Sequence, residues 1–130
     1  AARALQQTGK VKLCRIPQGA NALGLAQTGV LPADGGKHAG QMLDGSLGAV
    51  LLFGIEPQFD FAETTRAVKA LLSAKVVACS AFVSAQLQEL ADVILPIGLL
   101  PEVQGTLTNL NGVEQAAEAA GKLPGSAQSG

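Results

Sequence analysis

The 130-residue sequence contains no tryptophan, no tyrosine, one histidine and two cysteines. Each shortage closes off a class of function. Nine Lys+Arg stand against ten Asp+Glu, with a net charge of −1, and the basic residues form no cluster. A nucleic-acid surface needs cationic stripes and usually stacking aromatics, so nucleic acid is excluded as a partner. The lone histidine, His38, rules out a histidine-rich metal centre and reads as a surface residue. Cys14 and Cys79 each sit in an apolar run without C-x-x-C spacing. An iron–sulfur cluster normally needs about four thiolates, so this chain alone should hold none. Both cysteines are expected as buried strand residues, and a disulfide between them is disfavoured. No G-x-G-x-x-G, Walker-type loop, G-x-S-x-G elbow or Ser/His/Asp set is present. Gly, Pro or charge interrupts every apolar run before it reaches membrane-spanning length, and no signal peptide is visible. Direct membrane insertion is therefore not expected.

What is present is apolar: 48% hydrophobic residues against 15% charged. That balance predicts strands buried on both faces, as in a parallel sheet. The length suits one domain with its own core. The chain begins at Ala1 rather than Met and ends in the polar stretch Leu123–Gly130, so both ends read as cuts in a longer polypeptide. The expected organisation is an α/β domain over residues 1–115 and a polar tail over 116–130.

Strand-like and helix-like runs alternate, which predicts βαβ units. Val11–Ile16, closed by Pro17, reads as the first strand. A short helix is expected over Ala22–Gln27, ended by Gly29, and another around His38–Leu43. Gly48–Gly54 is a continuous apolar run bounded by glycines and reads as a buried strand. Asp60 with Glu63 has the spacing of a capping box, opening a helix with Phe61, Thr65, Val68 and Leu72 on one face. Lys75–Ser80 is the third predicted strand. Ser84 is placed to cap a helix running to Leu90, with Leu87 and Leu90 inward, and Ala91–Leu95 is the fourth strand. Asn111-Gly112 predicts a hairpin turn, with Gly105 in a special backbone conformation, Glu102 or Thr106 bonding nearby amides, and Asn109 doing the same. Residues after Gly112 read as a helix-tolerant tail. Together these predict a Rossmann-like three-layer α/β domain with a mainly parallel sheet.

Ligands of such sheets bind beyond the carboxyl ends of the strands. Those ends are expected at Pro17–Asn21, Gly54–Pro57, Ser80–Phe82 and Pro96–Gly98. Gly54 permits a tight turn, and Pro57 biases Glu56 away from helix. From the residues alone, Glu56 reads as a turn residue or a solvated carboxylate.

Three segments in order carry a family resemblance. They are Gly19-Ala-Asn-Ala-Leu-Gly24 with Gly29 and Pro32, then Leu51–Pro57, and most specifically Ala91-Asp-Val-Ile-Leu-Pro96 followed by Glu102-Val-Gln-Gly-Thr106 and Asn109-Leu-Asn-Gly-Val-Glu-Gln115. The pattern resembles the molybdopterin oxidoreductase superfamily. Within it, the chain is most similar to the large Fe–S subunit of bacterial respiratory NADH:quinone oxidoreductase, complex I. In the molybdenum enzymes of the superfamily, the loop matching Gly54–Pro57 usually reads G-x-N-P and helps hold a guanine dinucleotide. This chain has Glu56 in place of the Asn.

The resemblance implies no catalytic residue in this stretch. It implies a cofactor-binding or vestigial pocket at Asn21, Gly54, Glu56 and Pro57. It also implies 4Fe–4S and 2Fe–2S clusters bound elsewhere in the parent, passing electrons from NADH toward quinone. The implied partners are the other domains of its own subunit and neighbouring complex I subunits, on the cytoplasmic, inner face of the cell membrane. The alternative is a guanine-dinucleotide (molybdopterin cofactor) binding domain of a formate-dehydrogenase-like molybdoenzyme.

Overall fold

The computed structural model describes residues 2–14 and 16–129. The chain divides into two compact units: residues 1–30 with 106–115, and residues 31–105 with 116–130.

The second unit holds the expected α/β architecture. Its sheet runs β1 (Ala49–Phe53), β2 (Lys75–Ser80) and β3 (Val93–Pro96), all parallel and in that spatial order. Leu51 lies beside Val77 and Val77 beside Val93, while Phe53, Cys79 and Leu95 form the next row. α5 (Thr64–Leu72) connects β1 to β2, and α6 (Ala85–Leu90) connects β2 to β3. Sequential strands joined by crossovers of one hand place both helices on the same face. The core confirms this: Leu52, Val76 and Ala78 from the strands are buried with Leu71 of α5 and with Leu87 and Leu90 of α6. Leu71, Leu87 and Val76 are the largest fully enclosed apolar side chains. Each contributes about 1.5–3 kcal/mol by leaving water.

The class and the parallel sheet agree with the sequence reading, whereas several local expectations do not. The run 48–54 contains β1 (Ala49–Phe53), but only Leu52 within it is buried. The predicted capping box at Asp60 and Glu63 does not form. Pro57 opens its own short turn of helix, α4 (Pro57–Asp60), and the Asp60 carboxylate turns back to accept the Glu56 amide at 2.6 Å. α5 then starts at Thr64 with Glu63 before it, and Leu72 is exposed rather than inward. Arg66 of α5 donates to the Leu43 and Gly40 carbonyls, which anchors α3 (Ala39–Met42). The α6 cap is as read: Ser84 Oγ accepts from the Leu87 amide at 3.1 Å. The described residues after Ala117 fold back on the end of β3, where Ile97 bridges Gln128 in parallel and Ala127 is buried.

In the first unit, residues 11–14 and 16 carry no strand, and Cys14 is exposed rather than buried. Lys12 and Arg15 interrupt the short apolar alternation there, leaving little apolar surface to hold a strand in place. α1 (Ala2–Gln7) and α2 (Ala22–Gln27) are short, the latter with the predicted bounds. The hairpin pairs β4 (Gly105–Thr108) with β5 (Glu114–Ala117). Its turn has Gly112 at φ 80°, while Asn109 Oδ1 accepts from the Asn111 and Val113 amides. Strand pairing thus overrides the helical tendency of residues after Gly112. Gly105 is absent from the positive-φ glycines and simply extends β4.

Candidate functional site

The carboxyl ends of β1, β2 and β3 converge on one edge of the second unit. Gly54 leaves β1 at φ 63°, a left-handed conformation open to glycine at little cost. Its amide still reaches the Cys79 carbonyl at 2.8 Å, so the chain turns only after the ladder ends. Glu56 follows in extended conformation, as expected before a proline, and the Pro57 ring is buried.

The Glu56 side chain points back across the edge. Ser84 Oγ donates to Oε2 at 2.8 Å, and Ser80 Oγ lies 3.2 Å from Oε1. The Ser80 hydroxyl is also paired with the Phe82 carbonyl, and its one proton serves one acceptor at a time. Ser84 carries no such conflict. It accepts from the Leu87 amide and donates to Glu56, so the α6 cap and the carboxylate form one chain of hydrogen bonds. Bonds to a charged acceptor are the stronger kind, about 1.5–3 kcal/mol each.

Beside this carboxylate lies an open cleft of about 430 Å³. Phe53, Phe82, Ile97, Leu99 and Val103 give it an apolar lining, and among the described residues no Lys or Arg borders it. The Glu102 carboxylate closes the 3₁₀ turn at Leu100–Glu102 by accepting the Leu99 amide at 2.8 Å, the local role expected of it.

Of the predicted site residues, Gly54, Glu56 and Pro57 therefore stand together. Asn21 belongs to the first unit, and there it links distant segments. Its Oδ1 accepts the Thr108 amide at 2.8 Å, and its Nδ2 donates to the Thr106 carbonyl at 3.4 Å. A Cβ on Gly24 would collide with Asn21 Oδ1 and crowd Thr108 Oγ1, so glycine is what lets α2 approach β4. Two motif pieces far apart in the chain thus form one packing unit. The segment 17–21, expected as a strand exit, has no strand before it among the described residues.

Sequence reasoning missed Ser80 and Ser84 as partners of Glu56. The only signal was Ser84 as a helix cap, and nothing local ties it to a carboxylate 28 residues earlier. His38 is exposed at the start of α3, its amide held by Gln41 Oε1 at 3.1 Å. Among the described residues, no group of three or more His, Cys, Asp and Glu is arranged to hold a metal ion, and no helix is long and apolar enough to cross a membrane.

The model of the molybdopterin oxidoreductase family matches residues 2–130. A comparison with curated proteins returns no match.

Proposed function

The chain belongs to the molybdopterin oxidoreductase family, and from that premise we propose that it is a structural domain of the large Fe–S subunit of an NADH:quinone oxidoreductase of the complex I type. In this reading it carries no catalytic residue. The 4Fe–4S and 2Fe–2S clusters are bound elsewhere in the same subunit and carry electrons from NADH toward quinone. Its partners are the other domains of that subunit and the neighbouring subunits of the complex, peripheral on the inner face of the cell membrane.

The open face of the sheet supports this reading. Leu51 and Phe53 on β1 and Val93 and Leu95 on β3 remain 64%, 55%, 47% and 48% exposed, in two adjoining rows that half-buried Val77 and Cys79 of β2 complete. A contiguous apolar patch of this kind is rarely left in water, and it suits a domain built into a larger assembly.

A second reading has its own support. The cleft at the strand ends lies where open α/β sheets bind ligands, which suits a guanine-dinucleotide domain of a formate-dehydrogenase-like molybdoenzyme. Metal analysis of the full-length polypeptide, purified anaerobically, separates the two. Iron without molybdenum or tungsten is the expected result. Stoichiometric molybdenum or tungsten would sink the complex I assignment in favour of the second reading.

A further inference from the structure

The family name implies a molybdopterin cofactor, and the resemblance places a guanosine of its dinucleotide form at the loop matching Gly54–Pro57. The residues of that loop do not fit such a group. A dinucleotide brings a pyrophosphate, and the cleft offers it no Lys or Arg among the described residues that line it. It offers a carboxylate instead. Glu56 borders the cleft, and its own amide, one donor at this loop, is already held by Asp60 Oδ2 at 2.6 Å. Anion against anion in a partly desolvated cleft is repulsive. The Glu56 oxygens, in turn, face inward to Ser80 and Ser84 rather than outward to a base.

We infer that Glu56 is an internal strut rather than a nucleotide ligand. With Ser80 and Ser84 it braces the exit of β1 against the loop between β2 and α6, and this edge of the sheet takes no guanine nucleotide. The two serines lie 24 and 28 positions beyond Glu56. The three residues tie the end of β1 to the end of β2 and to the start of α6. Ser84 couples the strut to α6, because the same hydroxyl that donates to Glu56 caps the helix. The strut follows from the loop geometry rather than from the complex I assignment, and it opposes the second reading's placement of a guanosine in this cleft.

The test uses the full-length polypeptide. Guanosine diphosphate is titrated by calorimetry, and amide hydrogen exchange is followed in peptides covering residues 80–87. The strut predicts no saturable heat with guanosine diphosphate up to roughly millimolar concentration. It predicts that Glu56→Ala and Ser84→Ala each speed exchange of the Leu87 amide and its neighbours about tenfold. Glu56→Gln keeps one oxygen for Ser84 and removes the charge, so it gives a smaller increase and serves where the alanine variant fails to fold. Saturable binding of guanosine diphosphate that Glu56→Ala abolishes would make Glu56 a ligand and overturn the inference. Exchange over residues 80–87 unchanged in Glu56→Ala and Glu56→Gln would overturn it as well. Molybdenum in the parent would defeat the complex I assignment; if these two measurements still came out as expected, the strut would stand and the cofactor's guanosine would have to lie away from this cleft.

Discussion

The two faces of the sheet are built from the same kinds of residue and meet opposite fates. On one face Leu52, Val76 and Ala78 are buried under α5 and α6. On the other, Leu51, Phe53, Val93 and Leu95 lie open, only one position away along the same strands. Alternating side chains make this inevitable whenever helices cover a single face. The covered face carries the stability of this unit. The open face carries none of it yet, and its apolar character has a physical rationale only if something else packs there. The contrast separates what holds the unit together from what it offers to the rest of the assembly.

The covered face should break hardest. Leu87 is fully enclosed between α6 and the strands. Leu87→Ala removes its contacts and leaves a cavity, costing about 2–5 kcal/mol in urea denaturation. A loss under about 1 kcal/mol would mean that α6 does not pack as described. The open face should behave in reverse. Leu51→Ser with Leu95→Ser should change the stability of this unit by no more than about 0.5 kcal/mol, the usual range for surface substitutions. In the full-length polypeptide the same pair should lower the thermal midpoint. If the pair destabilises the unit and leaves the whole unaffected, the open face is not an interface.

The edge that links the faces gives a smaller effect. Ser84→Ala removes the α6 cap and costs about 1 kcal/mol. If the Glu56 bond matters as well, Glu56→Ala added to Ser84→Ala will cost less than the sum of the two single changes. Strict additivity would show that the two side chains act independently.

How much of this was legible follows from how local each cause is. β1, β2, β3, α2 and α6 could be read because apolar runs, glycine stops and the Ser84 cap lie within a few residues of each other. The choice of covered face could not, because β1 is apolar on both sides and only the position of α5 and α6 decides between Leu51 and Leu52. Asp60 was misread because two backbone amides competed for one carboxylate. Pro57 started a turn early enough for the Glu56 amide to win. The segment 114–117 looked helical from its alanines, yet pairing with β4 across the Asn111-Gly112 turn made it a strand. Gly54 and Pro57 were legible as loop formers. The engagement of Glu56 by Ser80 and Ser84, and of Asn21 by Thr106 and Thr108, depends on residues far apart in sequence and was not.

The smallest expected effect lies at the opposite edge of the sheet and sharpens the contrast between its two ends. Asp92 Oδ1 pairs with Lys75 Nζ at 2.9 Å, and Oδ2 accepts the Val76 amide at 2.8 Å where β2 and β3 begin. The Lys75 hydrogen bond, followed by that of Val76, holds the Asp92 carboxyl below the usual carboxylate range, and Asp92 in turn raises the Lys75 ammonium. The signs fix the pH windows. A depressed carboxylate adds stability above its unfolded value, near about pH 4, and loses it as pH falls through the lower folded value. A raised ammonium adds stability below its unfolded value and loses it as pH rises through the higher folded one, above roughly pH 10.5. Across neutral pH the pair is therefore constant, and both partners are solvent-exposed, so salt should weaken it. Asp92→Asn should lower the urea midpoint slightly at neutral pH, and its difference from wild type should shrink as the pH drops below about 4. An undiminished difference in acid would show that the carboxylate acts through packing rather than charge. The Glu56 edge differs in its donors, because there neutral hydroxyls hold the carboxylate.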